Sequence, residues 1–219
     1  MPRVKNGLLI LRYAQDDKVQ LWEGDAPMNI VNVGYDSTNY YVLADNIPRL
    51  LVDAGWPGTL PKFRHACERM DVSLPDLKHF LVTHFHPDHA GLVEELKRIG
   101  LKLVVVDTQV SAIPVLSTYV KPRDNFIEID ATNNITLSVE ESRAFLAGIG
   151  IQGEIISTPG HSGDSITLVL DQGAAFTGDL TPLIMLPEDE DNIARQSWEK
   201  IRSLGATTIY PGHGPVGHI

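Results

Sequence analysis

The sequence has 219 residues, 43% of them hydrophobic and 21% charged, which suits one ordinary globular domain and excludes a wholly disordered chain. Because 28 acidic side chains outnumber 18 basic ones, the net charge is −10, and without a Lys/Arg cluster we expect no nucleic-acid partner. No window reaches the roughly 18 apolar residues of a membrane span, so we expect no membrane partner either.

Residues 1–27 differ from the rest of the chain and are predicted to form an N-terminal extension. The runs GLLILRY and KVQLW predict a hairpin around Gln15–Asp17, and Met28 is an alternative start that would make the extension dispensable. Its short apolar run is interrupted by Arg12 and lacks a cleavage pattern, so no signal peptide is predicted and we expect a cytoplasmic protein. The main domain is predicted to cover residues 28–219.

From residue 28 onward, short β-rich runs alternate with segments of helical periodicity. Strands are predicted over 28–34, 38–44, 49–55, 79–82, 102–106, 154–158, 165–170 and 174–178. Helices are predicted over 60–70 with Thr59 as N-cap, over 89–99, from a Ser138–Glu141 capping box to Gly148 or Gly150, and over 192–204. This order favours an α/β (α+β) fold in which two sheets are covered by helices.

Histidines and aspartates cluster where predicted strands end. The string His84-Phe85-His86-Pro87-Asp88-His89 follows a buried strand, and the imidazoles of His84 and His86 lie on one side of an extended segment. Further candidate ligands follow later strands, each directly after a glycine that indicates a tight turn or a close backbone approach. These residues are His161, Asp179 and His213. Cys67 is the single cysteine, so any metal must be bound by His and carboxylate groups.

This combination of motifs resembles the metallo-β-lactamase-fold metallohydrolase superfamily of the HxHxDH type. The resemblance rests on Asp53 after LLV, the HFHPDH string, TPGH, TGD and PGHG, and it covers the chain from about residue 28 onward. It implies a four-layer αββα sandwich with the metals at one edge between the sheets. Residues 28–219 would then be a metallo-β-lactamase-like hydrolase domain.

The resemblance also implies a role for each candidate ligand. His84, His86 and His161 would bind a first metal ion, Asp88, His89 and His213 would bind a second, and Asp179 would bridge both. Asp53 would be a supporting residue that orients a ligand histidine through a hydrogen bond. Two divalent ions are expected, with zinc as the first choice and iron or manganese as alternatives, because nitrogen and oxygen ligands suit all three.

The expected chemistry is hydrolysis by a metal-bound hydroxide, with Asp88 as a catalytic group that carries a proton to the leaving group. The segment 180–191 begins apolar and ends acidic, and we predict that it walls a pocket for a small ester, thioester or lactone. Tyr35 and Trp56 are candidates for the pocket rim. Two alternatives stay open, a mononuclear iron enzyme resembling persulfide dioxygenases and a non-catalytic metal-binding protein.

Overall fold

A computed structural model describes residues 28–189 and 192–219. The predicted extension over residues 1–27 lies outside the described residues. Two β-sheets make up the centre of the fold. No helix in the described part of the chain has both the length and the apolar character of a membrane span.

The first sheet has six strands that are neighbours in the order of the chain. These strands are β1 (Asn29–Asn32), β2 (Tyr41–Ala44), β3 (Pro48–Val52), β4 (His79–Leu81), β5 (Lys102–Val106) and β6 (Ile135–Leu137). The pairs β1–β2 and β2–β3 are antiparallel, whereas β3 to β6 run parallel. Strand β6 was not predicted, because this edge strand is only partly buried and its three residues follow a polar run over residues 132–134.

The second sheet has five strands in the spatial order β11-β10-β9-β8-β7. In chain order these strands are β7 (Gly153–Ser157), β8 (Ile166–Leu170), β9 (Ala174–Gly178), β10 (Thr208–Pro211) and β11 (Gly217–His218). Strands β7 to β9 are antiparallel, and β10 joins β9 in parallel. The parallel pair brings the carboxyl ends of β9 and β10 to the same edge of the sheet.

The α-helices of the described chain agree with the predicted ones at most positions. They are α1 (Leu60–Arg69), α2 (Pro87–Ala90), α3 (Val93–Arg98), α4 (Ser142–Gly148) and α5 (Ile193–Ser203). The prediction of one helix over 89–99 is wrong, because the segment forms α2 and α3. The Leu92 amide donates to the carbonyl groups of Ala54 and Gly55 at 3.0 and 3.1 Å, and these tertiary hydrogen bonds replace a helical one.

Two predicted helix caps differ from the observed hydrogen bonds. Thr59 precedes α1, but its hydroxyl donates to the Trp56 carbonyl at 2.6 Å and does not cap the helix. The Ser138–Glu141 pair forms its reciprocal bonds, with the Ser138 amide donating to the Glu141 carboxylate at 2.8 Å. These bonds close a turn, and α4 begins one residue later, at Ser142.

Three apolar clusters define four layers, as the predicted αββα sandwich requires. Alternate residues of the first sheet, such as Leu51 and Phe80, pack with α1 and α3 in an outer cluster. Their neighbours Val52 and Leu81 face the second sheet, where Leu168 and Phe176 complete the cluster between the sheets. A third cluster packs α5 against the other face of the second sheet.

The ring of Phe176 is fully buried between the sheets and contacts Tyr41 and Tyr210, with centroids 5.4 and 5.1 Å apart. We expect Phe176→Ala to lower the free energy of unfolding by about 3–5 kcal/mol, since it removes a buried ring and leaves a cavity. Urea denaturation measures this. Ile47→Ala, at a side chain 47% exposed, is the control and should change stability by less than about 0.5 kcal/mol.

Candidate metal centre

The ends of several strands bring the predicted ligands together. His84 and His86 follow β4, whereas Asp88 and His89 lie on α2. His161, Asp179 and His213 follow β7, β9 and β10 of the second sheet. The loops of both sheets therefore contribute to one cluster, in which all the predicted ligands lie.

The first group consists of His84, His86 and His161, with one ring nitrogen of each within 4.8 Å of the others. The Nε2 atom of His161 lies 3.0 Å from Nδ1 of His86. The ring of His84 is packed between its neighbours, with centroid distances of 4.5 Å to His86 and 4.7 Å to His161. Three imidazoles thus converge on one point, as an ion with nitrogen ligands requires.

Hydrogen bonds fix the tautomer of His84. The Asp53 carboxylate can only accept, so the Thr83 hydroxyl donates its hydrogen to Asp53 at 3.0 Å. Thr83 Oγ1 therefore accepts from Nδ1–H of His84 at 3.1 Å. The lone pair of His84 is then on Nε2, which is buried and makes no hydrogen bond within the described residues. Burial, together with neighbouring His89, lowers the pKa of His84 to about 2, which keeps the ring neutral.

The second group consists of Asp88, His89, Asp179 and His213, again with donor atoms within 4.8 Å of one another. Nε2 of His213 lies 3.1 Å from Asp88 Oδ2 and 3.4 Å from Asp179 Oδ2. Nε2 of His89 lies 3.2 Å from Asp179 Oδ1. Asp179 also approaches the first group, at 3.7 Å from Nε2 of His161. Its carboxylate thus lies between the two groups.

Both histidines of the second group present Nε2 to these carboxylates because their Nδ1 atoms are already bonded. Nδ1–H of His89 donates to Asp53 Oδ2 at 2.9 Å, and Nδ1–H of His213 donates to the Ser37 carbonyl at 2.7 Å. This is the hydrogen bond predicted for Asp53, and it joins Asp53 to one of the candidate ligands. Burial opposes a charge on His89, but Asp53 and Asp179 outweigh it and raise the pKa of His89 to about 10.

The donor set fits divalent cations. Buried His84 Nε2, His89 Nε2 and Asp179 Oδ1 make no hydrogen bond within the described residues, although buried polar atoms are almost always paired. The pKa of Asp179 is also lowered to about 2, because His89, His84 and His213 outweigh the effect of burial. A carboxylate that stays charged beside the lone pair of the neutral His84 ring is suited to bind a cation, which would take the place of the Nε2 proton of His89.

Two glycines allow the loops to approach each other closely. Gly178 has a φ of +53°, and a Cβ atom there would overlap the Thr83 side chain. A Cβ atom on Gly212 would lie 2.5 Å from Cε1 of His89 and 2.6 Å from Oδ1 of Asp179. The predicted need for glycine before Asp179 and His213 is therefore confirmed, and its cause is contact between the loops.

Several supporting residues were missed by sequence reasoning. Asp164 accepts a 2.8 Å hydrogen bond from the Phe85 amide and so fixes the backbone between His84 and His86. Asn39 donates to the carbonyl groups of Pro211 and Gly214 at 3.0 and 2.8 Å, which holds the loop of His213. The Asn39 backbone amide also donates to the Gly212 carbonyl at 2.8 Å and so is not paired with a neighbouring strand, which is why β2 begins at Tyr41 and not at the predicted residue 38. The amino-acid sequence around Asn39, which precedes two tyrosines, does not indicate that its side chain holds a distant loop.

The predicted rim residues lie in different surroundings. The hydroxyl of Tyr35 bonds to Thr59 Oγ1 at 2.6 Å and its ring packs on Tyr40, 5.1 Å between centroids, so Tyr35 belongs to the outer core. Burial raises the pKa of Tyr35 to about 12. Trp56 is 40% exposed in the loop after Asp53. Its role at a pocket rim stays a prediction.

A cleft of about 530 Å³ adjoins His161. Thr181 and Leu186, from the segment predicted to wall a pocket, line it together with Ile193. The segment is held by Trp198, whose indole N–H donates to the Thr181 carbonyl at 2.8 Å. A second cleft of similar volume is lined by Arg64, Cys67 and Glu68 of α1 together with neighbouring residues, and none of the candidate ligands lines it.

Comparison with known proteins identifies the family of the chain. The model of the metallo-beta-lactamase superfamily matches residues 33–213, so the chain belongs to this superfamily. The structure is similar to that of a metallo-beta-lactamase family protein from Thermus thermophilus, with a TM-score of 0.63 and 20% identity over 86% of this chain and 74% of that one. The predicted family and fold are confirmed.

Curated relatives cover most of this chain. A beta-lactamase-like protein 2 homolog of Caenorhabditis elegans is 29% identical over 82% of this chain and 56% of its own length. An atrochrysone carboxyl ACP thioesterase of Aspergillus fumigatus is 32% identical over 82% of this chain and 51% of its own length. A probable polyketide biosynthesis zinc-dependent hydrolase of Bacillus velezensis is 28% identical, over 80% and 73%. The chain thus spans about half the length of the first two relatives.

We expect Gly212→Ala to reduce binding of metal ions by about 10–100-fold, because the added methyl group would displace His89 and Asp179. Titration with zinc under competition from a chelator measures the affinity. Gly163→Ala is the matched control, since a Cβ atom there has no neighbour within 4 Å. Equal zinc affinity in the Gly212 variant and the wild type would contradict the close approach seen here.

Proposed function

We propose that this protein is a dinuclear metal-dependent hydrolase that cleaves a small ester, thioester or lactone. The observation that carries the proposal is the position of Asp179, whose two oxygens approach His89 and His213 on one side and His161 on the other. One carboxylate shared by two groups of ligands is the arrangement that a pair of ions needs. His84, His86 and His161 would bind one ion, and Asp88, His89 and His213 the other.

Zinc is the proposed metal, with iron and manganese as alternatives. The ligands are imidazole nitrogens and carboxylate oxygens, which zinc accepts in tetrahedral or five-coordinate sites. The Bacillus velezensis relative is described as zinc-dependent, which supports the choice. Divalent ions in this centre would lower the pKa of a water molecule towards neutrality and polarise a carbonyl oxygen.

The surroundings of the centre favour a substrate that is partly apolar and not strongly anionic. The cleft beside His161 is lined by Leu186 and Ile193. The acidic residues Glu188 and Asp189 lie between these two in the chain. Together with a net charge of −10, these carboxylates disfavour a polyanion. A thioester is a strong candidate within this class, since the Aspergillus fumigatus relative is described as an ACP thioesterase.

Asp88 is the proposed proton carrier. Its Oδ2 atom lies 3.1 Å from Nε2 of His213 and accepts a hydrogen bond from Thr38 Oγ1 at 3.4 Å. The side chain is 18% exposed, so one face of the carboxylate can reach a substrate. A carboxyl group in this position could bind the ion and then pass a proton to the leaving oxygen or sulfur.

Replacement of His86 by alanine should remove the metal ion of the first group and lower the rate of hydrolysis by more than about 100-fold. Loss of a residue that only hydrogen-bonds to a metal ligand already lowers metal affinity or activity by about 10–100-fold, and His86 is itself a proposed ligand. Metal analysis and turnover of a panel of esters, thioesters and lactones measure both effects. His65→Ala, at an exposed position of α1, is the control and should keep two ions and full activity.

The same measurements separate the alternatives. Two ions per chain with hydrolysis agree with the proposal. One iron ion with oxygen uptake would replace it by the persulfide-dioxygenase-like enzyme, and bound metal without turnover of any substrate would indicate a non-catalytic metal-binding protein.

Asp88→Asn keeps an oxygen ligand but cannot carry a proton. We expect turnover to fall about 100-fold or more, with metal content close to the wild type, since general acid catalysis contributes factors of about 10²–10⁴. Steady-state kinetics and metal analysis of the same sample are the measurements. Asp36→Asn, at a surface carboxylate paired with Lys62, serves as control. Unchanged turnover of metal-loaded Asp88→Asn would refute the proton-carrying role.

A further inference from the structure

Tyr119 is an exposed aromatic residue beside the metal centre that the sequence analysis did not single out. Its ring packs against the ring of His86, with centroids 5.2 Å apart and planes at 66°. The side chain is 55% exposed, although it contacts a candidate metal ligand. Within the described residues, no hydrogen bond is formed by its hydroxyl group. The ring therefore presents apolar surface to solvent directly beside His86.

The position of Tyr119 is fixed by the segment that precedes it. Asp107–Thr118 is 3₁₀-helical, and its buried Gln109 donates to the Val82 carbonyl at 3.0 Å, next to the strand end that carries His84. Ile113 and Leu116 anchor the segment in the outer core. The Tyr119 amide donates to the Leu116 carbonyl at 3.0 Å. The aromatic ring is thus placed beside the ligands by buried contacts, while its own outer surface stays free.

We propose that the ring of Tyr119 forms an apolar wall of the substrate site and contacts an apolar group next to the scissile bond. This inference rests on the proposed function and deepens it, because it assigns a residue that selects substrates with an extended apolar substituent. A large ring that is half exposed gains free energy by burial against such a group. If Tyr119 only supported His86 by packing, it would need no exposed surface. An experiment can therefore distinguish support of His86 from contact with a substrate.

The experiment uses the zinc-loaded protein and alkyl hydroxamates, which chelate zinc whether or not the protein turns over a substrate. Acetohydroxamate is compared with two octyl probes, one with the chain on the carbonyl carbon and one with the chain on the nitrogen. Binding is measured by calorimetry for the wild type, Tyr119→Phe and Tyr119→Ala. Val115→Ala is the matched control, at an apolar side chain of the same segment that is 44% exposed.

We expect the wild type to bind at least one octyl probe more tightly than acetohydroxamate. Tyr119→Ala should weaken that probe by about tenfold, as the loss of a partly buried ring contact implies. Its affinity for acetohydroxamate and its metal content should stay within about twofold. Tyr119→Phe and Val115→Ala should behave like the wild type.

Three results would overturn the proposal. The first is a wild type that binds short and octyl probes equally, or binds none of them. The second is an equal loss for short and octyl probes in Tyr119→Ala, which would indicate that the ring only supports His86. The third is no loss at all in Tyr119→Ala. If the protein hydrolyses no ester, thioester or lactone but Tyr119→Ala still loses its preference for the octyl chain, the proposed function fails and the apolar wall stands.

Discussion

The carboxylate of Asp53 is the group on which the geometry of the centre depends. It accepts hydrogen bonds from the Thr83 amide at 2.7 Å, from the Thr83 hydroxyl and from Nδ1–H of His89. Through Thr83 it also determines which nitrogen of His84 carries the hydrogen. One buried anion thereby aims the Nε2 atoms of two imidazoles, one in each group of ligands, towards the centre.

The backbone of Asp53 has a strained conformation. Its φ is +67°, a left-handed conformation that costs a non-glycine residue about 1–3 kcal/mol. The Asp53 amide donates to the Leu81 carbonyl at 2.9 Å, which ties the end of β3 to the end of β4. The core between the sheets then provides the rigidity that keeps this conformation. A more relaxed residue, such as glycine, would lose the carboxylate and with it the orientation of both histidines.

The two sheets contribute unequal parts to the centre. The loops of the first sheet supply four candidate ligands, His84, His86, Asp88 and His89, whereas the loops of the second supply His161, His213 and, between the two groups, Asp179. The loops of the two sheets pack so closely that a Cβ atom at Gly178 or Gly212 would overlap a neighbouring side chain. The apolar surface of the cleft at Leu186 comes from a loop outside this rigid part, whereas Tyr119 is held by a segment anchored in the outer core. Loops can change without disturbing the ligands, which suits a scaffold that accepts different substrates.

Much of the site was determined by the sequence itself. The HFHPDH string, and the glycines before His161, Asp179 and His213, predicted which side chains would meet. They did so because metal ligands must be of a few chemical types and because a tight approach admits only glycine. Short runs of β-branched and other apolar residues also predicted most strands, since strands such as β8 and β9 are buried on both faces.

Other features were decided by tertiary structure alone. The break between α2 and α3 arises from hydrogen bonds to Ala54 and Gly55, and the start of β2 from the bonds of Asn39 to the loop of His213. Tyr119 meets His86 only after its segment has packed on the outer core. These contacts join residues far apart in the chain, and local propensity carries no information on such partners. The candidate ligands could be predicted from residue types within short motifs. The residues that support them, and those that line the surrounding surface, depend on packing between distant parts of the chain.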